Sequence, residues 1–95
     1  MSTEKSIEIY YDVADMSPEA LDFRNAAMEL IETEMEKAGI GEWEGAEIGK
    51  SIDTDGFEVN FGFSVTDFDA AEALVRQTVA GTPFEGIREI KRNEY

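Results

Sequence analysis

The 95-residue chain has no cysteine, no histidine, only two prolines, and 8 Lys and Arg against 22 Asp and Glu. Each shortage closes off a class of chemistry. Without thiols there are no disulfides, which fits a reducing compartment. Without imidazole or thiolate, zinc and copper lose their usual ligands. A nucleophile would have to be activated by Lys or a carboxylate, and no G-x-S-x-G elbow or phosphate-cradling glycine loop is present. Two carboxylates can serve as an acid–base pair, but 22 are scattered along this chain and no spacing singles out two of them. No apolar run approaches the roughly 18 residues that a membrane span needs. Residues 1–5 lead into a stretch carrying Glu8 and Asp12, which is not a signal-peptide core. A cytoplasmic, non-enzymatic protein without cofactor or metal is expected.

What is present is enough for a core. Hydrophobic residues make up 42% of the chain and aromatics 11%, whereas acidic disordered chains are poor in both aromatic and β-branched residues. A formal charge of −14 therefore belongs to a folded surface. The length suits one domain, residues 1–95, able to bury a core without staples.

Hydrophobic period separates the elements. In residues 6–13, Ile7, Ile9, Tyr11 and Val13 alternate with Glu8, Tyr10 and Asp12, as in a half-buried strand. Ser17 and Pro18 start a helix, with Glu19 and Asp22 near its positive end. Leu21, Met28, Ile31, Met35 and Ala38 recur at helical spacing, and Gly39 offers a left-handed stop with Ile40 closing over it. Residues 42–50 change parity between Trp43 and the pair Ala46 and Ile48, which predicts a strand bulged near Gly45. Residues 53–56 read as a turn. Phe57, Val59, Phe61, Phe63 and Val65 alternate with Glu58, Asn60, Gly62 and Ser64 in the clearest strand. Thr66-Asp67-Phe68-Asp69 opens a second helix with Phe68, Ala71, Leu74, Val75, Thr78 and Val79 inward, ended by Gly81 and Pro83. A short strand is expected over residues 86–92.

The order strand, helix, strand, strand, helix, strand, with a tight turn in the middle and two long connections, specifies an α+β ferredoxin-like fold. Right-handed crossovers give a four-stranded antiparallel sheet with both helices on one face. Phe61 and Leu74 are expected between sheet and helices. The open face would then carry Glu8, Tyr10 and Asp12 beside Glu58, Asn60, Gly62 and Ser64, and Glu58→Ala is expected to be nearly neutral. Arg88 and Arg92 are placed to neutralise Glu8 and Asp12 across the ladder. Tyr10 is the one good stacking side chain there, and the carboxylates around it repel phosphate, so direct nucleic-acid binding is not expected.

The acidic residues gather on a flank. On a helical wheel Asp22, Glu29, Glu32 and Glu36 cluster, with Asn25 among them, and residues 29–58 hold ten acids against Lys37 and Lys50. Like charges one turn apart are mutually destabilising, so local helix stability does not explain them. With Glu42, Trp43 and Glu44 of the next strand they form a candidate partner-binding set. A row of carboxylates can stand in for the phosphates of duplex DNA, which presents one charge per about 1.7 Å of axis, and so mask a basic protein partner, as an inhibitor or immunity protein does. The alternative is a structural or small-ligand-binding domain whose acidity serves solubility or a salty cytoplasm. Trp43 is read either as a core anchor at the mouth of the hairpin or as a partner contact. The wide apolar arc of the first helix, which includes Phe23 and Leu30, predicts a homodimer.

Asp53, Asp55 and Gly56 imitate part of a calcium loop, but Ser51 and Gly62 would fall where the first Asp and the bidentate Glu belong, and the turn reading is preferred. Residues 40–49, followed by a strand and then Thr66-Asp67-Phe68-Asp69-Ala70-Ala71-Glu72, resemble small uncharacterised bacterial ferredoxin-like proteins, in which a glycine-flanked strand precedes a D-x-D-A helix start. The resemblance spans about residues 40–79. It implies the fold and assigns no catalytic residue.

Overall fold

The computed structural model describes residues 4–50 and 56–94. Its elements follow the expected order: β1 (Lys5–Val13), α1 (Pro18–Ala38), β2 (Gly41–Lys50), β3 (Phe57–Val65), α2 (Phe68–Val79) and β4 (Glu89–Glu94). The sheet runs β2-β3-β1-β4 with antiparallel neighbours throughout. The fold is ferredoxin-like. The turn expected over residues 53–56 and the calcium-like Asp53 and Asp55 lie outside the described residues, except for Gly56.

Local chemistry fixes the helix ends. The Ser17 hydroxyl accepts from the Ala20 N–H at 3.4 Å, with Pro18 in the first turn. The Asp67 carboxylate accepts from the Ala70 N–H at 2.8 Å, so each helix satisfies one of the N–H groups that its first turn leaves without an intrahelical acceptor. At the other end of α1, Gly39 adopts φ 67°, its N–H reaches the Glu36 carbonyl and that of Ile40 the Met35 carbonyl. A side chain at Gly39 would be strained in that left-handed conformation.

The core lies between the sheet and the two helices. Ile7, Ile9 and Tyr11 of β1 and Val59, Phe61 and Phe63 of β3 meet Ala27, Ile31 and Met35 of α1 and Ala71, Val75 and Val79 of α2. Phe61 stands edge-on to Phe63 and stacks on Tyr11, with ring centroids 5.9 and 6.1 Å apart. Leu74, expected at the centre, packs against this cluster from its margin, and Ala38 is exposed.

Two expectations change here. The last strand begins at Glu89 and runs past Arg92 to Glu94, because its register is set by pairing with β1 from Tyr10↔Glu89 to Lys5↔Glu94. Arg88 precedes it, its N–H bonded to the Tyr10 carbonyl at 2.9 Å. The apolar arc of α1 is also partly used within the chain. Phe23 meets Tyr11 edge-on and packs on Phe84, each at 5.2 Å between centroids, while Leu30 is half-buried and lines a surface hollow with Leu74 and Gln77. Phe23 therefore adds nothing to a surplus apolar surface, whereas Leu30 still borders solvent.

Candidate functional site

Where α1 hands over to β2, the backbone approaches unusually closely. A Cβ on Gly41 would lie 2.9 Å from the Met35 sulfur and 3.1 Å from the Ser64 carbonyl oxygen, so any larger residue would have to push the Met35 side chain aside and crowd the β3 backbone. This approach brings the flank of α1 beside the first residues of β2. Glu32 and Glu36 line one side of a 580 Å³ groove, Glu42 and Trp43 another, and Ser64–Thr66 the floor. Among the described residues, its lining includes no Lys or Arg. Lys37, the nearest cation along the helix, is turned to Glu34 at 3.5 Å.

Trp43 is 47% exposed and stands outside the core cluster, so the core-anchor reading does not hold. The parity argument behind it does. The register of β2 against β3 shifts between Trp43 and Gly45. Trp43, Ala46 and Ile48 face Phe63, Phe61 and Val59 and therefore share the helix side of the sheet. Ala46 and Ile48 reach the core margin, while Trp43 lies at the strand's end. Among the described residues, Trp43 and Met16 are the large apolar side chains left exposed.

The other predicted site residues are dispersed. Asp22 and Glu29 are exposed on α1 but do not line the groove. Glu44, at the bulge, borders a separate 460 Å³ hollow on the opposite face of the sheet, with Glu8, Glu47 and Asn60. The structure thus brings together Glu32, Glu36, Glu42 and Trp43 and separates Asp22, Glu29 and Glu44 from them.

That opposite face departs most from expectation. No helix lies over it, yet Ser6, Tyr10 and Glu58 are only 3%, 8% and 7% exposed. Arg88 holds Asp12 and Glu58, each at 3.2 Å. Glu8 accepts from the Tyr10 hydroxyl at 2.9 Å and from the Asn93 amide at 2.6 Å. The Lys91 ammonium lies 4.8 Å and the Arg88 guanidinium 5.6 Å from the centre of the Tyr10 ring, so their cationic ends roof the ring. Burial, and then the bond and charge of Glu8, push the Tyr10 hydroxyl well above its usual range. Glu58 is therefore a buried ion-pair member rather than a neutral surface acid. Tyr10 is roofed over and does not offer a stacking platform. Arg92 turns to the helix side and pairs with Asp69 and Glu72 at 2.8 and 3.1 Å, leaving Glu8 to Tyr10 and Asn93. Arg88 and Asp12 pair as expected; Glu58 as their third member was missed, although its parity placed it on the same face. Among the described residues no three carboxylates gather as a metal ion would require, and no helix is long and apolar enough to cross a membrane.

No family model matches the chain, and no curated protein does. Solved structures do. The C-terminal domain of the MgtC protein from Mycobacterium tuberculosis superposes with a TM-score of 0.52 at 14% identity, over 98% of this chain and 87% of that one. A dimeric ferredoxin-like protein from an uncultured marine organism gives 0.50 at 13% identity, over 98% and 86%. At these identities the likeness concerns the fold.

Proposed function

We propose that the protein is a non-enzymatic acidic binding module of the cytoplasm that masks a basic protein surface, as an inhibitor or immunity protein does. The observation that carries this reading is the groove between α1 and β2, where Glu32, Glu36 and Glu42 stand together without a lining cation and a half-exposed tryptophan forms the rim. Carboxylates set one turn apart repel each other, and a cationic partner would relieve that repulsion. Trp43 would add a ring face for Lys or Arg, the best aromatic surface for a cation. A net charge of −14 would steer such a partner from a distance.

The test is affinity for a partner captured from the native host, measured at two salt concentrations with Glu29, Glu32 and Glu36 all changed to Lys. All three lie off the buried stripe, so the fold is expected to survive. Wild-type binding should weaken steeply as the Debye length falls from about 10 Å at 0.1 M to about 3 Å at 1 M, and the triple variant should not bind. Unchanged affinity at both salt levels would favour the alternative, a structural or small-ligand domain whose acidity serves solubility. A second reading, the homodimer, is supported by the dimeric state named for one structural neighbour. Light scattering at high micromolar concentration tests it, and a monomer mass would remove it.

A further inference from the structure

β2 is an edge strand of the sheet, 10 residues long, with β3 on one side and no strand on the other among the described residues. An edge leaves a row of backbone N–H and C=O groups available to another chain. Along this edge the two faces differ in chemistry. Trp43, Ala46 and Ile48 stand on the helix side, opposite Phe63, Phe61 and Val59; Glu42 and Glu47 stand on the other, opposite Ser64 and Asn60. The edge is therefore apolar along one face and anionic along the other. A second copy of this chain would bring acids against acids along the same edge, and the bulge between Trp43 and Gly45 further spoils symmetrical pairing.

We propose that the free edge of β2 docks an extended segment of a basic partner by strand addition, the segment alternating Lys or Arg with apolar residues. This rests on the basic-partner reading above and deepens it by naming the partner's form. The added strand would extend the sheet, its cations lying beside Glu42 and Glu47 and its apolar side chains beside Trp43, Ala46 and Ile48. Side chains directly across neighbouring strands lie about 4.5–5.5 Å apart, close enough for opposite charges to pair.

The probe is a synthetic peptide as long as β2, alternating Lys and Val, compared with a peptide of the same composition arranged at helical spacing. Trp43, the chain's one tryptophan, reports binding by fluorescence, and amide shifts in 15N spectra locate it. The alternating peptide should bind about tenfold more tightly, shift the amides of β2 first, and lose at least about tenfold when alternate backbone nitrogens on its pairing edge are methylated, the equivalent of one or two hydrogen bonds. Methylation on the other edge should change affinity by less than about twofold. Equal binding of both peptides, silent methylation, or shifts centred on α1 would overturn strand addition, and the basic-partner reading would stand if the triple Lys variant still lost its partner. Failure of both peptides, with that variant binding normally, would overturn both. A β2-paired homodimer in peptide-free protein would overturn strand addition in favour of a second copy.

Discussion

On the helix-covered face of the sheet, Ile7, Ile9, Phe61 and Phe63 are closed off by two helices packed on them. On the opposite face, Ser6, Tyr10 and Glu58 are almost as inaccessible with no helix above them. The first face is sealed by apolar area, whose removal from water is favourable in proportion to its extent. The second is sealed by long charged side chains: Arg88 and Lys91 lie across Tyr10, and Arg88 holds Asp12 and Glu58. The difference teaches that burial by itself does not identify a core. Apolar burial is lost by making a cavity, and ionic burial by leaving one partner of a charge pair without the other.

Truncation on the apolar face should have the largest effect. Phe61→Ala removes a fully buried ring that contacts Tyr11 and Phe63, and a loss of about 3–5 kcal/mol is expected in denaturant titration; less than about 1 kcal/mol would show that this face is not the main source of stability. Next comes alkali. Burial pushes the Tyr11 hydroxyl up from 10.0 to about 12, and that hydroxyl donates to the Phe84 carbonyl at 2.7 Å. The folded state therefore holds this proton more tightly than the unfolded chain. The resulting stability is complete below about pH 10 and drains away as pH rises toward about 12, by about 2–3 kcal/mol. Tyr10 acts in the same direction. Tyr11→Phe should flatten its share of the decline between pH 10 and 12, and an unchanged slope would remove Tyr11 as the cause.

On the ionic face, Glu58→Ala should cost about 1–3 kcal/mol by leaving Arg88 with less of its countercharge. A neutral result would mean that the roof over Tyr10 holds without it. The smallest effect is expected from Arg92→Ala. Its bridge to α2 is well exposed, with the Arg92 side chain 41% accessible, and solvent screening leaves such pairs contributing little. A larger loss in the same titration would mean that β4 depends on the helix more than on β1.

Much of this arrangement is legible in the sequence because it is local. The alternation of Ile7 to Val13 and of Phe57 to Val65, the caps at Ser17 and Asp67, the stop at Gly39 and the bulge before Gly45 each follow from a few neighbouring residues. What was not legible depends on distant ones. The bounds of β4 follow from its register against β1, some 80 residues earlier in the chain. The burial of Tyr10 and Glu58 follows from where the cationic ends of Arg88 and Lys91 fall, which period 2 does not encode. The site was half legible: helical spacing put Glu32 and Glu36 on one flank, but only the close approach at Gly41 joins them to Glu42 and Trp43, and only the bulge parts them from Glu44.

The position of β1 within the sheet has a consequence for how the domain comes into being. The earliest of the six elements to leave the ribosome, it is flanked by β3 and β4, with Lys5 opposite both Val65 and Glu94. Until those strands are made, β1 can pair with neither. Such distant pairings slow folding, since the loop must close before any contact compensates for it. A nascent chain would carry the strand Ile7–Ile9–Tyr11 with both edges open until Phe57–Val65 has followed, a segment prone to associate with other unfinished chains. The dense negative charge that follows it would keep those chains apart while they wait.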